Sequence, residues 1–480
     1  MSNPANISRR KFVALGSSAL VSSSVERVWG MPSNLGPIGN WAGVMVREGK
    51  TLPVEFSFFK NPLPDSLPNY YCPMDRQVHS DHPRKCPLCG MDLVLENKQL
   101  RATFTSTTQG AMEFPLEQLK LNGTSFQALL GDSIVLDGTV EGDEIRGKFT
   151  DGAAQGTFRL HRAVPSTRPY STRSVTFQNG EIKLAGTVFI PHTRGKHAGV
   201  VLLHGSGSQT RWGTNCYLAD QFARAGIVAL AYDKRGSGDS TGTWESSTYE
   251  DLASDALAGT ELLGSLSDVD AKLIGLCGHS EGGIVAPVAA NIQPGKIAFV
   301  IAEDTVAGPV YQQDICRTHV ALMRSSFTPE QRNAADRLYG LFVDAARGVA
   351  PRQTFREAAL KAQKEPWFDW LGLPDADSWI WTRYPKLGNV DTLRLWANIH
   401  VPVLLVYGEK DQLVPVDESI ERIEGALVSP DSRNCSFIVP GAQHNLTIRP
   451  EDNDPFFWWK TAPGVYALVI DWVRSVTQRY

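Results

Sequence analysis

Six runs of continuous apolar residues recur from about residue 174 to the end of the chain, with helical stretches and glycine-containing turns between them. A strand that is apolar on both faces is typical of a parallel sheet covered by helices on each side, since a half-exposed strand would alternate. The runs lie at residues 198–203, 227–232, 273–277, 297–301, 403–407 and 436–439. This order of elements predicts an α/β domain over residues 174–480.

A different pattern precedes this domain. Short stretches of alternating apolar and polar residues, separated by turn signals, occupy residues 36–60 and 98–164. Alternation indicates strands with one buried face, and this spacing is typical of an antiparallel meander. We therefore expect a small N-terminal antiparallel β-domain. Residues 69–96 would be an insertion at a hairpin tip, where few backbone hydrogen bonds are lost.

The composition excludes several classes of partner. Hydrophobic residues make up 42% and charged residues 20% of the 480 residues, with a net charge of −4. Since no long basic run is present, we expect no nucleic-acid partner and no binding to an anionic membrane surface. No stretch approaches the roughly 18 apolar residues that a membrane-spanning helix needs.

The first 30 residues have the layout of an export signal. Residues 8–13 read Ser-Arg-Arg-Lys-Phe-Val, and a weakly apolar stretch rich in Ala, Ser and Gly continues to Val25. A positive patch before a short apolar run is typical of secretory signals, and the paired arginines resemble a twin-arginine signal. We expect residues 1–30 to direct export to the periplasm or the outside. The alternative is a cytosolic tail that contains Arg-Arg by chance.

Residues 278–282, Gly-His-Ser-Glu-Gly, follow one apolar run directly and precede a helical stretch. This is the G-x-S-x-G pattern in the strand–turn–helix setting that it requires. Glycine on both sides of the serine removes Cβ atoms that a sharp turn could not accommodate. The turn would raise the hydroxyl of Ser280, the candidate nucleophile, above the sheet. It would also set the backbone N–H of Glu281 at a helix N-terminus, where negative charge is stabilised.

A serine nucleophile needs a base, and the base needs an acid that orients it. His444 follows the run at 436–439 and Asp411 follows the run at 403–407. Both should therefore reach the edge of the sheet that carries Ser280, and the order Ser, Asp, His is the expected one. Five residues remain as alternatives: Glu409, Asp417 and Glu418 for the acid, and His204 and His279 for the base.

A second backbone donor for an oxyanion is expected in residues 203–208, Leu-His-Gly-Ser-Gly-Ser, which follow the first apolar run. A glycine-rich turn at this place can aim an N–H group at the developing charge. Ser206 is the candidate, with Gly207 as the alternative. A phosphate-binding loop is disfavoured because the lysine of that motif is missing.

Together these motifs resemble the α/β-hydrolase family, in its esterase or acyl-hydrolase branch, over residues 174–480. The residues that carry the resemblance are 204–207, 232–238 (Tyr-Asp-Lys-Arg-Gly-Ser-Gly), 278–282, 408–411 and His444. The resemblance implies a mostly parallel sheet with helices on both faces and a helical cap at about residues 309–398. It also implies that Asp233 and Arg235 form a structural pair.

The activity implied by the resemblance is cleavage of a small carboxylic ester through an acyl-enzyme, with no cofactor needed for catalysis. An acyl thioesterase or a peptidase-like acyl hydrolase is the alternative. Seven rings in the expected cap either form an apolar substrate pocket or fill the core of the cap: Trp367, Phe368, Trp370, Trp379, Trp381, Tyr384 and Trp396.

Three of the seven cysteines, Cys72, Cys86 and Cys89, fall within 18 residues. The C-x-x-C pair can place two thiolates on one turn, and Cys72 supplies a third soft ligand. So short a segment buries too little apolar surface to fold alone, and a metal ion would stabilise it. The four scattered cysteines are expected to be small buried apolar residues.

The segment resembles the heavy-metal-binding domain attached to copper and other metal efflux proteins, which has histidine where this chain has Asp75. The resemblance implies a bound zinc or copper ion, with Asp75, His79 or His82 as the fourth ligand. A structural zinc knuckle, a Cys86–Cys89 disulfide and a relic without metal are the competing interpretations. A metal-handling protein with a non-catalytic hydrolase scaffold is a further alternative, which the complete Ser-Asp-His pattern disfavours.

Overall fold

The computed structural model describes most of the chain after residue 36. The described residues are 37–60, 70–71, 79–80, 85, 94–95, 100–131, 133–164, 167–427, 433–451, 454, 456 and 458–478. The proposed export signal at residues 1–30 lies outside them, as do Cys72, Cys86 and Cys89 and the candidate ligands Asp75 and His82. These assignments stay predictions. None of the helices in the described ranges is long and apolar enough to cross a membrane.

The described residues before 164 form eleven strands, and eight of them close into an antiparallel barrel. The strands are β1 (Gly39–Arg47), β2 (Lys50–Lys60), β3 (Tyr70–Tyr71), β4 (His79–Ser80), β5 (Val94–Leu95), β6 (Leu100–Ser106), β7 (Ala111–Asn122), β8 (Ser125–Leu130), β9 (Ile134–Glu141), β10 (Glu144–Asp151) and β11 (Ala154–Ala163). The barrel order is β1-β11-β10-β9-β8-β7-β6-β2, and β3–β5 form a separate small sheet. The sequence indicated a meander, and the pairing of β1 with β11 closes it.

Phenylalanine rings fill the barrel, and glycines on the strands make room for them. A Cβ atom on Gly147 would lie 2.1 Å from the ring of Phe158, and one on Gly156 would lie 2.3 Å from the ring of Phe149. Both rings are buried. Because protein interiors are close-packed, each ring occupies the space that a side chain at the glycine would need. The barrel interior is therefore filled by side chains.

An eight-stranded, mostly parallel sheet forms the second domain. Its strands are β12 (Tyr170–Asn179), β13 (Ile182–Pro191), β14 (His197–Leu203), β15 (Val228–Tyr232), β16 (Val269–His279), β17 (Val300–Glu303), β18 (Val403–Gly408) and β19 (Cys435–Val439). The order is β12-β13-β15-β14-β16-β17-β18-β19. Pairing is antiparallel from β12 through β13 to β15, and parallel from β15 onward. A short ribbon of β20 (Thr447–Ile448) and β21 (Lys460–Thr461) follows.

Helices cover both faces of this sheet. The helices of this domain are α1 (Thr214–Arg224), α2 (Tyr249–Gly264), α3 (Glu281–Ile292), α4 (Val310–Met323), α5 (Pro329–Ala346), α6 (Arg352–Ala362), α7 (Ile380–Leu387), α8 (Thr392–Trp396), α9 (Val416–Ala426) and α10 (Val465–Thr477). Apolar residues of α1 and α10 join one core, and those of α2, α3, α8 and α9 join the core on the other face. Cys216 and Cys277 are buried as expected, whereas Cys316 and Cys435 are partly exposed.

The segment between β17 and β18 contains α4 to α8 and has a hydrophobic core of its own. Of the seven rings singled out in the sequence, Trp367, Phe368, Trp381 and Tyr384 belong to that core, and Trp396 belongs to the core under the sheet. Trp370 and Trp379 are 44% and 39% exposed. Most of these rings therefore fill cores.

We expect Gly147→Ala to lower the free energy of unfolding by about 1–3 kcal/mol, because the new methyl group overpacks the barrel against Phe158. Denaturant unfolding followed by circular dichroism measures the change. Gly340→Ala in α5 is the control, since nothing lies within 4 Å of its Cβ position. A helical glycine with open space at its Cβ position should leave the stability equal or slightly higher when alanine replaces it. Equal effects of the two substitutions would contradict the packing argument.

Candidate active site

Ser280 lies in the sharp turn between β16 and α3, which we call the elbow (residues 278–282). Its backbone has φ 54° and ψ −112°, a conformation that side chains other than glycine seldom adopt. A Cβ on Gly278 would lie 2.1 Å from the carbonyl oxygen of Gly282, and one on Gly282 would lie 2.8 Å from that of Leu203. Both glycines are therefore required, as the sequence predicted, and the turn presents the serine at the start of α3.

The structure brings Asp411 and His444 together. Asp411 follows β18, and His444 begins a short 3-10 helix after β19. His444 Nδ1 lies 2.8 Å from Asp411 Oδ2, and the Asp411 side chain is fully buried. Asp411 Oδ1 accepts hydrogen bonds from the backbone N–H groups of Leu413 and Val414, at 2.7 and 3.2 Å. These bonds fix the carboxylate, which in turn fixes the imidazole ring.

The imidazole of His444 lies against the elbow. Its ring centroid is 4.9 Å from that of His279, the residue that precedes Ser280. Since Nδ1 faces Asp411, Nε2 is the nitrogen left to exchange a proton with a nucleophile. The Asp411–His444 pair thus lies beside the elbow that carries Ser280, at the carboxyl ends of β16, β18 and β19.

The two rival histidines are poor bases. His204 is buried, and its Nε2 lies 2.5 Å from the carbonyl oxygen of Tyr232. Burial and the nearby charge of Lys234 lower the pKa of His204 to about 3. Burial and the neighbouring His444 lower the pKa of His279 to about 3 as well. A general base works best with a pKa near the working pH, so these environments disfavour both residues.

The rival acids are engaged elsewhere. Glu409 Oε2 accepts a hydrogen bond from the Gly441 N–H at 2.9 Å. Asp417 and Glu418 lie in the first turn of α9, where acidic side chains stabilise the helix, and Glu418 also pairs with Arg422 at 2.6 Å. Each of these carboxylates has a structural role in its own loop or helix.

A second buried acid, Asp304, escaped the sequence analysis. It follows β17, has no exposed surface, and accepts the Gly408 N–H at 2.8 Å through Oδ1. One donor atom from each of Asp304, Asp411 and His444 lies within 4.8 Å of the other two. Burial and the charge of Asp411 raise the pKa of Asp304 well above its usual range. The neutral acid is therefore favoured at Asp304.

The glycine-rich loop (residues 204–209) lies beside the elbow. A Cβ on Gly205 would be 3.5 Å from the His279 ring. The side chain of Gln209 accepts the Gly205 N–H at 3.2 Å and donates to the Ser206 carbonyl oxygen at 3.3 Å. Ser206 is exposed at the tip of this closed turn, and Glu281 occupies the first position of α3. Of the two predicted oxyanion donors, Glu281 thus belongs to the elbow itself and Ser206 to the loop beside it.

The expected pairing of Asp233 with Arg235 is wrong. Asp233 pairs with Arg211, while Arg235 Nε donates to Asp255 at 2.6 Å. Both residues lie after the end of β15, and each reaches a different partner there. Arg235 fastens this turn to α2, which carries Asp255.

We expect Asp411→Asn to lower kcat toward ester substrates by about 10⁴-fold, because an amide favours the wrong histidine tautomer. Asp304→Asn is the matched substitution. The amide can still accept the Gly408 N–H and resembles the neutral acid, so activity should remain close to that of the unchanged protein. Steady-state kinetics on both variants distinguishes the two carboxyls. A larger loss from Asp304→Asn would reverse the assignment.

Two families match parts of the chain. Residues 200–453 match the alpha/beta hydrolase family, and residues 69–96 match the heavy metal binding domain. The chain is 24% identical over 316 residues to a 2-hydroxy-6-oxononadienedioate/2-hydroxy-6-oxononatrienedioate hydrolase of Cupriavidus pinatubonensis, covering 64% of this chain and 97% of that one. It is 25% identical over 238 residues to a bifunctional esterase/perhydrolase of Acinetobacter calcoaceticus, covering 47% and 78%.

An uncharacterized protein of Mycobacterium tuberculosis is 26% identical over 273 residues, which is 57% of this chain and 72% of the relative. Among solved structures, an esterase from Pyrococcus furiosus aligns at 20% identity and a TM-score of 0.39, covering 65% of this chain and 96% of that one. The alpha/beta hydrolase match spans more than half of the 480 residues. The chain therefore belongs to the alpha/beta hydrolase family.

Proposed function

We propose that this protein is a serine hydrolase that cleaves carboxylic esters through an acyl-enzyme on Ser280. The observation that carries the proposal is the buried Asp411–His444 pair, whose imidazole contacts the turn that presents Ser280. A nucleophile, an oriented base and a buried acid are the groups that acyl transfer to serine requires.

In the proposed reaction, Ser280 Oγ attacks the ester carbonyl carbon while His444 Nε2 takes the hydroxyl proton. Asp411 stabilises the resulting imidazolium. The backbone N–H groups of Glu281 and Ser206 donate to the oxyanion, and the N-terminus of α3 adds its dipole. The imidazolium then gives its proton to the departing alkoxide. Water repeats the sequence on the acyl-enzyme and releases the acid.

An ester is preferred over a thioester or an amide because one relative is named as a bifunctional esterase/perhydrolase. Rates on three substrates with the same acyl group, an ester, a thioester and an amide, would rank the candidates. Ester cleavage slower than cleavage of the matched thioester would favour the alternative acyl thioesterase.

We expect Ser280→Ala to lower turnover of p-nitrophenyl esters by about 10⁴-fold or more, since the covalent route is lost while the oxyanion donors remain. The same substitution should abolish labelling by a fluorophosphonate probe. Ser206→Ala serves as the control, because it keeps the backbone N–H and should leave labelling intact. Labelling of the Ser280→Ala protein would show that another residue is the nucleophile. If the protein without substitutions is neither labelled nor active, the alternative of a metal-handling protein with a non-catalytic hydrolase scaffold is favoured.

We also propose that residues 69–96 bind one zinc or copper ion through Cys72, Cys86 and Cys89. Three thiolates within so short a segment suit a soft or borderline ion. The backbone of His79 pairs with Tyr71, the residue before Cys72. This pairing supports His79 as a candidate for the fourth ligand, beside Asp75 and His82. We propose that the ion stabilises this short segment and takes no part in ester cleavage, since the proposed acyl transfer needs no metal.

We expect the double substitution Cys86→Ser, Cys89→Ser to remove the bound metal, measured as metal per protein by mass spectrometry. Cys316→Ser in α4 is the control and should keep the full metal content. Ester hydrolysis should be unchanged in both proteins. Equal metal content in the double variant and the unchanged protein would refute the assigned ligands.

A further inference from the structure

Three charged side chains that the proposed reaction does not use are buried together below the elbow. The Glu281 carboxylate binds Lys234 Nζ through Oε2 and Arg383 through Oε1, the latter at 2.7 Å. The side chains of Lys234 and Arg383 are each 2% exposed, and that of Glu281 is 4% exposed. Burying charges is costly even when they are paired, and an apolar cluster of similar volume would often be as stable. The position of this cluster therefore calls for a reason besides stability.

Lys234 connects the elbow to the glycine-rich loop. Its ammonium donates to the carbonyl oxygen of Gly205 at 2.8 Å as well as to Glu281. Its backbone N–H donates to the carbonyl oxygen of Gln209 at 3.0 Å. Lys234 thus forms hydrogen bonds near both ends of the loop that carries Ser206. It also binds the side chain of Glu281, the first residue of α3. These are the two segments whose N–H groups would hold the oxyanion.

Arg383 connects the same carboxylate to the cap. It lies in α7, its Nε donates to the Ser247 carbonyl oxygen at 2.9 Å, and its second nitrogen reaches Glu281. The cap is therefore attached at the residue that would supply an oxyanion donor. Fixed backbone donors depend on such support, because a donor displaced by a fraction of an ångström loses much of its effect on the transition state.

We propose that Lys234 is a positioning residue for the oxyanion hole, holding the Gly205 carbonyl and the Glu281 carboxylate together and thereby fixing the Ser206 and Glu281 N–H groups relative to each other. Arg383 extends this support to the cap. The inference rests on the proposed serine hydrolase function and names residues that act through backbone donors, without contact with the substrate.

The test compares Lys234→Met with Arg235→Met. Both remove a buried cation from the same turn and leave a buried carboxylate behind, but Arg235 contacts α2 and not the glycine-rich loop. Three quantities are measured for each protein: kcat and KM on a p-nitrophenyl ester, and the affinity for a trifluoromethyl ketone. Ser280 adds to this ketone to give a tetrahedral adduct whose oxyanion occupies the proposed hole. Active sites are counted by fluorophosphonate labelling, so loss of folded protein is separated from loss of rate.

We expect Lys234→Met to lower kcat per labelled site by about 10²-fold, as loss of one oxyanion donor does, with little change in KM. The ketone affinity should fall by the same factor, and Lys234→Arg should restore part of both. Arg235→Met should alter neither quantity per labelled site. If Lys234→Met does not fold, Glu281→Gln provides the second measurement. It keeps the backbone N–H but weakens the charge-assisted bonds, so kcat and ketone affinity should again fall together.

A fall in kcat without a fall in ketone affinity, or equal effects of Lys234→Met and Arg235→Met, would overturn the proposal while leaving the serine hydrolase intact. An unchanged protein that neither cleaves the ester nor reacts with fluorophosphonate would refute the proposed function itself, and the positioning role would fail with it.

Discussion

The positive-φ turn at Ser280 is the constraint on which the site depends. Such a backbone costs on the order of 1–3 kcal/mol and persists only where its surroundings enforce it. Two features hold this backbone in place. Gly278 and Gly282 approach backbone atoms too closely for a side chain. The Ser280 N–H also donates to the backbone carbonyl oxygen of Glu303, in the next strand, at 2.8 Å. The sheet and α3 thus hold the turn that carries Ser280 beside the imidazole of His444.

Much of this arrangement follows from sequence alone. Buried parallel strands read as continuous apolar runs, and a motif at the end of such a run lies at a known edge of the sheet. Ser280, Asp411 and His444 could therefore be selected without coordinates. The local glycine pattern also indicated the sharp turn, because close backbone approach leaves few other residues possible.

Other features depend on contacts between distant parts of the chain. Closure of the barrel requires β1 to pair with β11, and no local pattern encodes that register. Asp304 stands after a buried strand just as Asp411 does, so its place in the chain was a usable signal. No signal in the sequence indicates that Asp304 lies next to Asp411 in the folded chain. Arg383 binds Glu281, which lies 102 residues earlier in the chain. Lys234 lies in residues 232–238, where the sequence assigned it no role of its own.

The pairing of β2 with β6 has a consequence for the architecture. Lys60 and Leu100 face each other across these neighbouring strands, so the chain leaves the barrel and re-enters it at points about 5 Å apart. Residues 61–99 are thus an insertion between two neighbouring strands of the barrel. A short turn between Lys60 and Leu100 could stand in their place without changing the register of β2 with β6.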